Sequence, residues 1–257
     1  MGVEFQLEQL VTAAGCVGTR VAGLLVFTPF LGSNAVSPRI KAALTVLLTA
    51  LLYPVCGPRS LPLSISALSQ VVLSEAVIGV LIGLTVQLVF EAAQFAGQVM
   101  GMQVGFGLVN IIDPSTQVDT PVLAVFSQTI AMLIFLQLGV HRWLIRAVAS
   151  SFAYLPPGSP LAAAATSHEI LHATSAIWLA GVQIAAPALL ATLLIDLVLG
   201  FLGKASPQLP VLFLGLSVKS MVGLVVLAIS LRYWPAILER HFVDAIGYAE
   251  KILRLAH

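Results

Sequence analysis

His168, Glu169 and His172 spell H-E-x-x-H. On a helix that spacing puts two imidazoles on one face for a zinc ion, with the glutamate poised as general base. Asp196 is the nearest acid that could serve as a distant third ligand. It is embedded in Leu-Ile-Asp-Leu-Val, and no Asp-Gly-like ligand segment follows the pentad. The pentad also sits between a Pro/Ala-rich stretch and an apolar segment. The plainer reading is a polar turn at a helix start, with Thr166 or Ser167 as N-cap. No Gly-rich phosphate loop, no Ser/His/Asp set and no Cys/His cluster accompanies it. The sequence therefore points to no enzyme, no metal and no cofactor.

A second set of reactive groups is Arg20, Glu75, Asp196 and Lys219, which lie within or near apolar segments. An ionisable group at membrane depth must face protein, water or a counter-charge. Asp196 and Lys219 flank the short connection at 203–210, at depths that differ by only a few ångström for a helical rise of about 1.5 Å per residue. They can pair within one hairpin, either as a structural bridge or as a proton relay.

Glycines form a third pattern. Gly97, Gly101 and Gly105 recur every four residues, as do Gly79 and Gly83. On a helix such stripes let another backbone approach closely. The stretch from Gly101 to Gly107 is glycine-rich enough to serve instead as a hinge beside a pore. It runs into Asn110-Ile-Ile-Asp113-Pro114-Ser115, which starts a turn or a new helix.

The elements that must position these groups are apolar helices. The 257 residues are 59% hydrophobic and 9% charged, with mean hydropathy +1.02. Soluble domains carry about a quarter charged residues. Much of this surface must therefore face lipid or other apolar protein, and the expected class is an all-α integral membrane protein. A net charge of +1 and the lack of a basic run exclude a nucleic-acid surface. Cys16 and Cys56 are too few for a disulfide framework. The acidic start MGVEFQLEQL lacks a basic region and a cleavage site, so the first apolar segment is expected to stay in the mature chain.

Six apolar segments stand out, at 10–30, 40–56, 68–90, 122–140, 177–202 and 211–231. Most reach the ~20 residues needed to span ~30 Å of hydrocarbon. Pro29, Pro54 and Pro187 interrupt or end three of them, and the freed backbone groups need protein partners. Arg59, Arg142, Arg146, Arg232, Arg240, Lys251 and Arg254 fall on one side of a six-span topology. Arg39, Lys41 and Lys204 fall on the other, which places both termini in the cytoplasm. The connectors at 91–121 and 150–175 are long. From Pro235 onward, Leu238, Phe242, Ile246, Ala249 and Leu253 recur at helical spacing, as for a helix lying at the membrane interface or docking a cytoplasmic partner.

Several blocks, in order, carry a resemblance. They are Pro29-Phe30 with Pro38-Arg39; Glu75 with Gly79 and Gly83; Ala96-Gly97-Gln98 through Gly101, Gln103, Gly105 and Gly107; Asp113-Pro114; and Pro121-Val-Leu. Ser151-Phe152, Leu155-Pro156-Pro157-Gly158, Asp196-Leu-Val-Leu-Gly200, Pro207-Gln208 and Leu214-Gly215-Leu216 with Lys219 follow. Together they resemble the FliR family of flagellar export-gate proteins and its injectisome relatives, the SctT proteins. Lys204 stands where the family pattern has Arg, and Leu209-Pro210 where an Asn is expected nearby. The H-E-x-x-H pentad is not part of the pattern.

The resemblance implies a subunit of a helical, pore-forming complex in the bacterial inner membrane, within the flagellar basal body and raised toward the periplasm. Residues 1–175 would be FliP-like, including the glycine-rich and plug-like 91–121 stretch. Residues 176–231 would form a FliQ-like helical hairpin, and 232–257 an amphipathic helix. Expected partners are FliP-like and FliQ-like subunits, an FlhB-like switch protein, unfolded export substrates and membrane lipid. Gly105, Phe106, Gly107, Asn110, Asp113, Pro114 and Pro121 would belong to a loop plugging the closed channel. Gly79, Gly83, Gly97 and Gly101 would pack helices. Lys204, Pro207 and Gln208 would form a partner-facing hairpin tip.

Overall fold

The computed structural model describes residues 2–29, 32, 36–56, 65–106, 122–157, 163–206, 208 and 211–255. Among them there is no strand, and eight helices follow in order. They are α1 (Gly2–Phe27), α2 (Pro38–Cys56), α3 (Ile65–Val104), α4 (Val122–Leu138), α5 (Val140–Tyr154), α6 (Ala163–Ala205), α7 (Val211–Ser230) and α8 (Trp234–Leu255). The all-α class expected from composition is what is observed.

By length and apolarity three stretches can cross a membrane: Gln9–Phe27, Leu68–Val104 and Trp178–Ala205. Two bent pairs raise the number to five if each is one span: α4 with α5, bent by 67°, and α7 with α8, bent by 63°. The expected segment at 40–56 is helical but not among them. Pro54 lies inside the last turn of α2 and Pro187 inside α6. At about 1.5 Å per residue, the 40-residue α3 and 43-residue α6 are about twice the hydrocarbon thickness. Parts of both must stand outside lipid or against protein.

Three sequence expectations are corrected here. The connector at 91–121 loses its first half to α3, which runs unbroken to Val104. Gly97 and Gly101 do not break it, because packing on the glycine face offsets a propensity cost of about 1 kcal/mol per glycine. The connector at 150–175 is also mostly helix, since α5 ends at Tyr154 and α6 starts at Ala163. Thr166 and Ser167 therefore lie inside α6 and not at its N-terminus. The pentad at 168–172 is helical backbone within α6, and its side chains lie outside the described ones.

Helical contacts group the chain into two compact units. The first comprises Met1–Leu88, Phe135–Ser175 and Phe242–His257. Here α1 lies against α3 at glycines: a Cβ on Gly79 would sit 2.0 Å from the Arg20 carbonyl oxygen, and one on Gly83 2.7 Å from that of Leu24. Gly23 answers from α1, with the Ala76 carbonyl oxygen 2.6 Å from its would-be Cβ. Val17 and Val21 of α1 and Ile78 and Ile82 of α3 are buried. Phe242 of α8 packs edge-on to Phe135, centroids 5.7 Å apart.

The second unit comprises Val89–Ile134 and Ala176–His241. A Cβ on Gly97 would meet the Leu123 carbonyl oxygen at 2.3 Å and the Ser127 hydroxyl at 2.5 Å, so α3 and α4 touch backbone to backbone. Gly181 of α6 is held against Phe95, whose ring meets Trp178 in a T-shaped pair at 4.8 Å. Hydroxyls in these apolar helices bond their own backbone: Thr28, Thr45, Thr49 and Thr192 each donate to the carbonyl four residues earlier. That satisfies a polar group without water.

Candidate functional site

In the first unit the guanidinium of Arg20 is fully enclosed. Its position on α1 is fixed by the close approach of Gly23 and Gly79, which leaves no room for another side chain between the helices. Its Nε donates to Glu75 Oε2 on α3 at 2.6 Å. Nη1 donates to Ser151 Oγ on α5 at 2.8 Å, and Nη2 to the Leu155 carbonyl oxygen at 2.9 Å. The guanidinium carbon stands 3.9 Å from the centroid of the Phe152 ring. Arg20 and Glu75 are both fully buried.

This arrangement explains how two charges persist in an apolar bundle. Arg20 offers a planar fork of donors, and α3 and the C-terminal end of α5 supply acceptors and an aromatic face. Ser151 Oγ in turn donates to the Val148 carbonyl at 2.6 Å, so the chain of bonds closes on backbone. The group ties α1, α3 and the end of α5 together. Such a cluster is a positional lock with no open face for substrate.

In the second unit, Lys219 Nζ on α7 donates to Asp196 Oδ2 on α6 at 2.8 Å. Unlike the Arg20 cluster, this pair is open: the Asp196 side chain is 47% exposed and that of Lys219 17%. One residue on, Ser220 Oγ donates to the Val104 carbonyl at 2.6 Å, capping an orphan carbonyl at the end of α3. Gly105 follows with φ of 100°, a left-handed conformation that favours glycine. A Cβ there would also strike Leu216 Cδ1 at 2.3 Å, and one on Gly223 would strike Val104 Cγ2 at 2.5 Å. The point where α3 stops is thus gripped by α7.

The remaining singled-out residues are placed as follows. Gly101 is buried in α3, and its carbonyl accepts from the Phe106 amide at 3.0 Å. Phe106 is exposed beside Gly105. Lys204, in the last turn of α6, and Gln208 are exposed. Gly107, Asn110, Asp113, Pro114, Pro121 and Pro207 lie outside the described residues. Among the described residues no three His, Cys, Asp or Glu gather as a metal site.

The sequence reading paired Asp196 with Lys219 but left Arg20 and Glu75 without partners, and it missed Ser151, Phe152 and Leu155 as their neighbours. The signal available was indirect. Ser151-Phe152 and Leu155-Pro156 stand together in the sequence, and two opposite charges in separate apolar segments invite pairing.

Comparison with known proteins fits this architecture. The model of the family described as bacterial export proteins, family 1, matches residues 11–245. The chain is 31% identical to the flagellar biosynthetic protein FliR of Pectobacterium carotovorum subsp. carotovorum, over 91% of this chain and 90% of that protein. It is 29% identical to FliR of Escherichia coli (strain K12), over 81% and 80% of the two chains. It is also 27% identical to the surface presentation of antigens protein SpaR of Salmonella typhimurium, over 91% and 87%. With a family match across most of its length and relatives covered nearly end to end, the chain belongs to the FliR/SctT family of type III secretion export-apparatus subunits.

Proposed function

We propose that the chain is a subunit of the flagellar export gate in the bacterial inner membrane, lining a pore for unfolded polypeptide together with FliP-like and FliQ-like subunits. The observation that carries this reading is the family match over residues 11–245, with FliR proteins at 29–31% identity. The surface of the hairpin agrees with it. Leu190, Leu193, Leu194, Leu197 and Phe201 on α6 and Met221, Val225 and Ile229 on α7 are exposed, and lipid or sister subunits must cover them.

In this reading residues 1–175 are the FliP-like part, 176–231 the FliQ-like hairpin and 232–257 the terminal amphipathic helix. An FlhB-like protein docks at the cytoplasmic end, and Lys204, Pro207 and Gln208 at the hairpin tip are candidates for contact with partner subunits. The stretch from Gly105 to Pro121 plugs the closed channel. Gly105 and Phe106 form its near anchor, and unfolded substrate displaces it while apolar side chains such as Phe106 seal around the passing chain. Energy for export comes from other parts of the machine.

The test is permeability of the assembled complex. Deleting residues 111–119 is expected to increase leak of ions through complexes reconstituted in liposomes. Leak equal to that of the intact complex would remove the plug role. A secondary transporter using Asp196 and Lys219 is the second reading, favoured only by their 2.8 Å contact at an open position. It requires proton-coupled uptake by the isolated protein in liposomes.

A further inference from the structure

The surface changes character sharply where α4 gives way to α5. Leu136, in the last turn of α4, is 51% exposed. Gly139 then takes φ of 68° and the chain bends by 67°. Immediately after the bend His141 and Arg142 are exposed, and Arg146 follows one turn later on the same face. The opposite face of α5, formed by Val140, Leu144, Ala147, Val148, Ser151 and Phe152, is buried. Trp143 lies between the two faces, partly exposed.

From this the geometry points to an anionic phospholipid site: α5 lies at the membrane surface and binds lipid phosphates through Arg142 and Arg146. Hydrocarbon-like surface passes into cationic surface within six residues, with a tryptophan at the change. This is how a helix sits at a lipid–water boundary. Between residues 122 and 168 the sequence has no Asp or Glu. Among the described residues neither guanidinium has an ion-pair or hydrogen-bond partner. Two exposed guanidiniums at i and i+4 suit bidentate capture of phosphate oxygens. A membrane supplies apolar chains and anions at adjoining depths, in the order that Leu136 and Arg142 present. An acidic protein would match only the second half of that order. The bend is made at Gly139, whose left-handed φ of 68° favours glycine.

The site stands independently of the export reading. It is tested on the full chain in detergent by native mass spectrometry, titrating phosphatidylglycerol against phosphatidylcholine. The unaltered protein is expected to prefer phosphatidylglycerol. R142Q/R146Q is expected to lose roughly 30-fold in phosphatidylglycerol affinity, about 1 kcal/mol per basic side chain at an anionic surface. R142K/R146K is expected to keep the preference. Should the double glutamine variant not fold, each single variant is expected to lose roughly fivefold. Equal binding of the two lipids, or undiminished phosphatidylglycerol binding by the variants, overturns the proposal. So does a glutamine variant that keeps its lipid preference but loses a protein from the native membrane complex, which would assign the surface to an acidic partner.

Discussion

Replacing Glu75 by alanine leaves the Arg20 guanidinium buried with no counter-charge. Its bonds to Ser151 Oγ and the Leu155 carbonyl remain, at 2.8 and 2.9 Å, but neither carries charge. Removing one partner of a buried ion pair costs about 3–5 kcal/mol. Replacing Arg20 by methionine removes the guanidinium that stands 2.6 Å from Glu75 Oε2. In R20M/E75M both charges are gone and neither must be desolvated. Ser151 Oγ keeps its bond to the Val148 carbonyl, while the Leu155 carbonyl loses its donor. That leaves a cost of about 1–3 kcal/mol. The double variant is therefore expected to be more stable than either single variant, a non-additivity characteristic of contacting residues. The assay is reversible unfolding in mixed micelles, titrating a denaturing detergent and following helical circular dichroism. Singles within about 1 kcal/mol of the unaltered protein, or a double variant as unstable as the sum of the two, would refute the reasoning.

The other expectations use the same unfolding assay. Gly79→Ala meets backbone 2.0 Å away and is expected to cost about 1–3 kcal/mol, whereas Gly200→Ala has nothing within 4 Å and should gain up to about 1 kcal/mol from helix propensity. Asp196→Asn acts on a half-exposed pair and should shift stability in detergent by less than about 1 kcal/mol, in contrast with Glu75→Ala. Ser220→Ala removes the cap on Val104 and should cost about 1 kcal/mol, with faster amide hydrogen exchange at Gly105 and Phe106.

What could be read in advance followed from local physics. Scarce charge and long apolar runs gave an all-helical membrane chain, because only helices satisfy backbone polar groups within one segment. Asp196 and Lys219 were legible as a pair since a short connection fixes their relative depth. Arg20 and Glu75 are 55 residues apart, and Ser151 and Leu155 lie more than 130 residues from Arg20. No periodicity links such positions; only tertiary packing does. Glycine content misled the reading of 91–104 as connector, because propensity ignores the helix that presses against Gly97. The stripe Leu238, Phe242, Ile246, Ala249 and Leu253 is visible in the sequence, where it reads as a face for membrane or partner. In the fold Leu238, Phe242, Ala249 and Leu253 are buried within the chain itself, and Ile246 is half-buried.

The central claim is membership of a multi-subunit export gate, and purification from native membranes tests it most directly. A tagged copy of the chain, extracted in mild detergent and analysed by mass spectrometry, is expected to carry FliP-like and FliQ-like proteins in fixed proportion. Recovery of the chain alone as a stable monomer, from cells that still export flagellar protein when the chain is absent, would contradict the account.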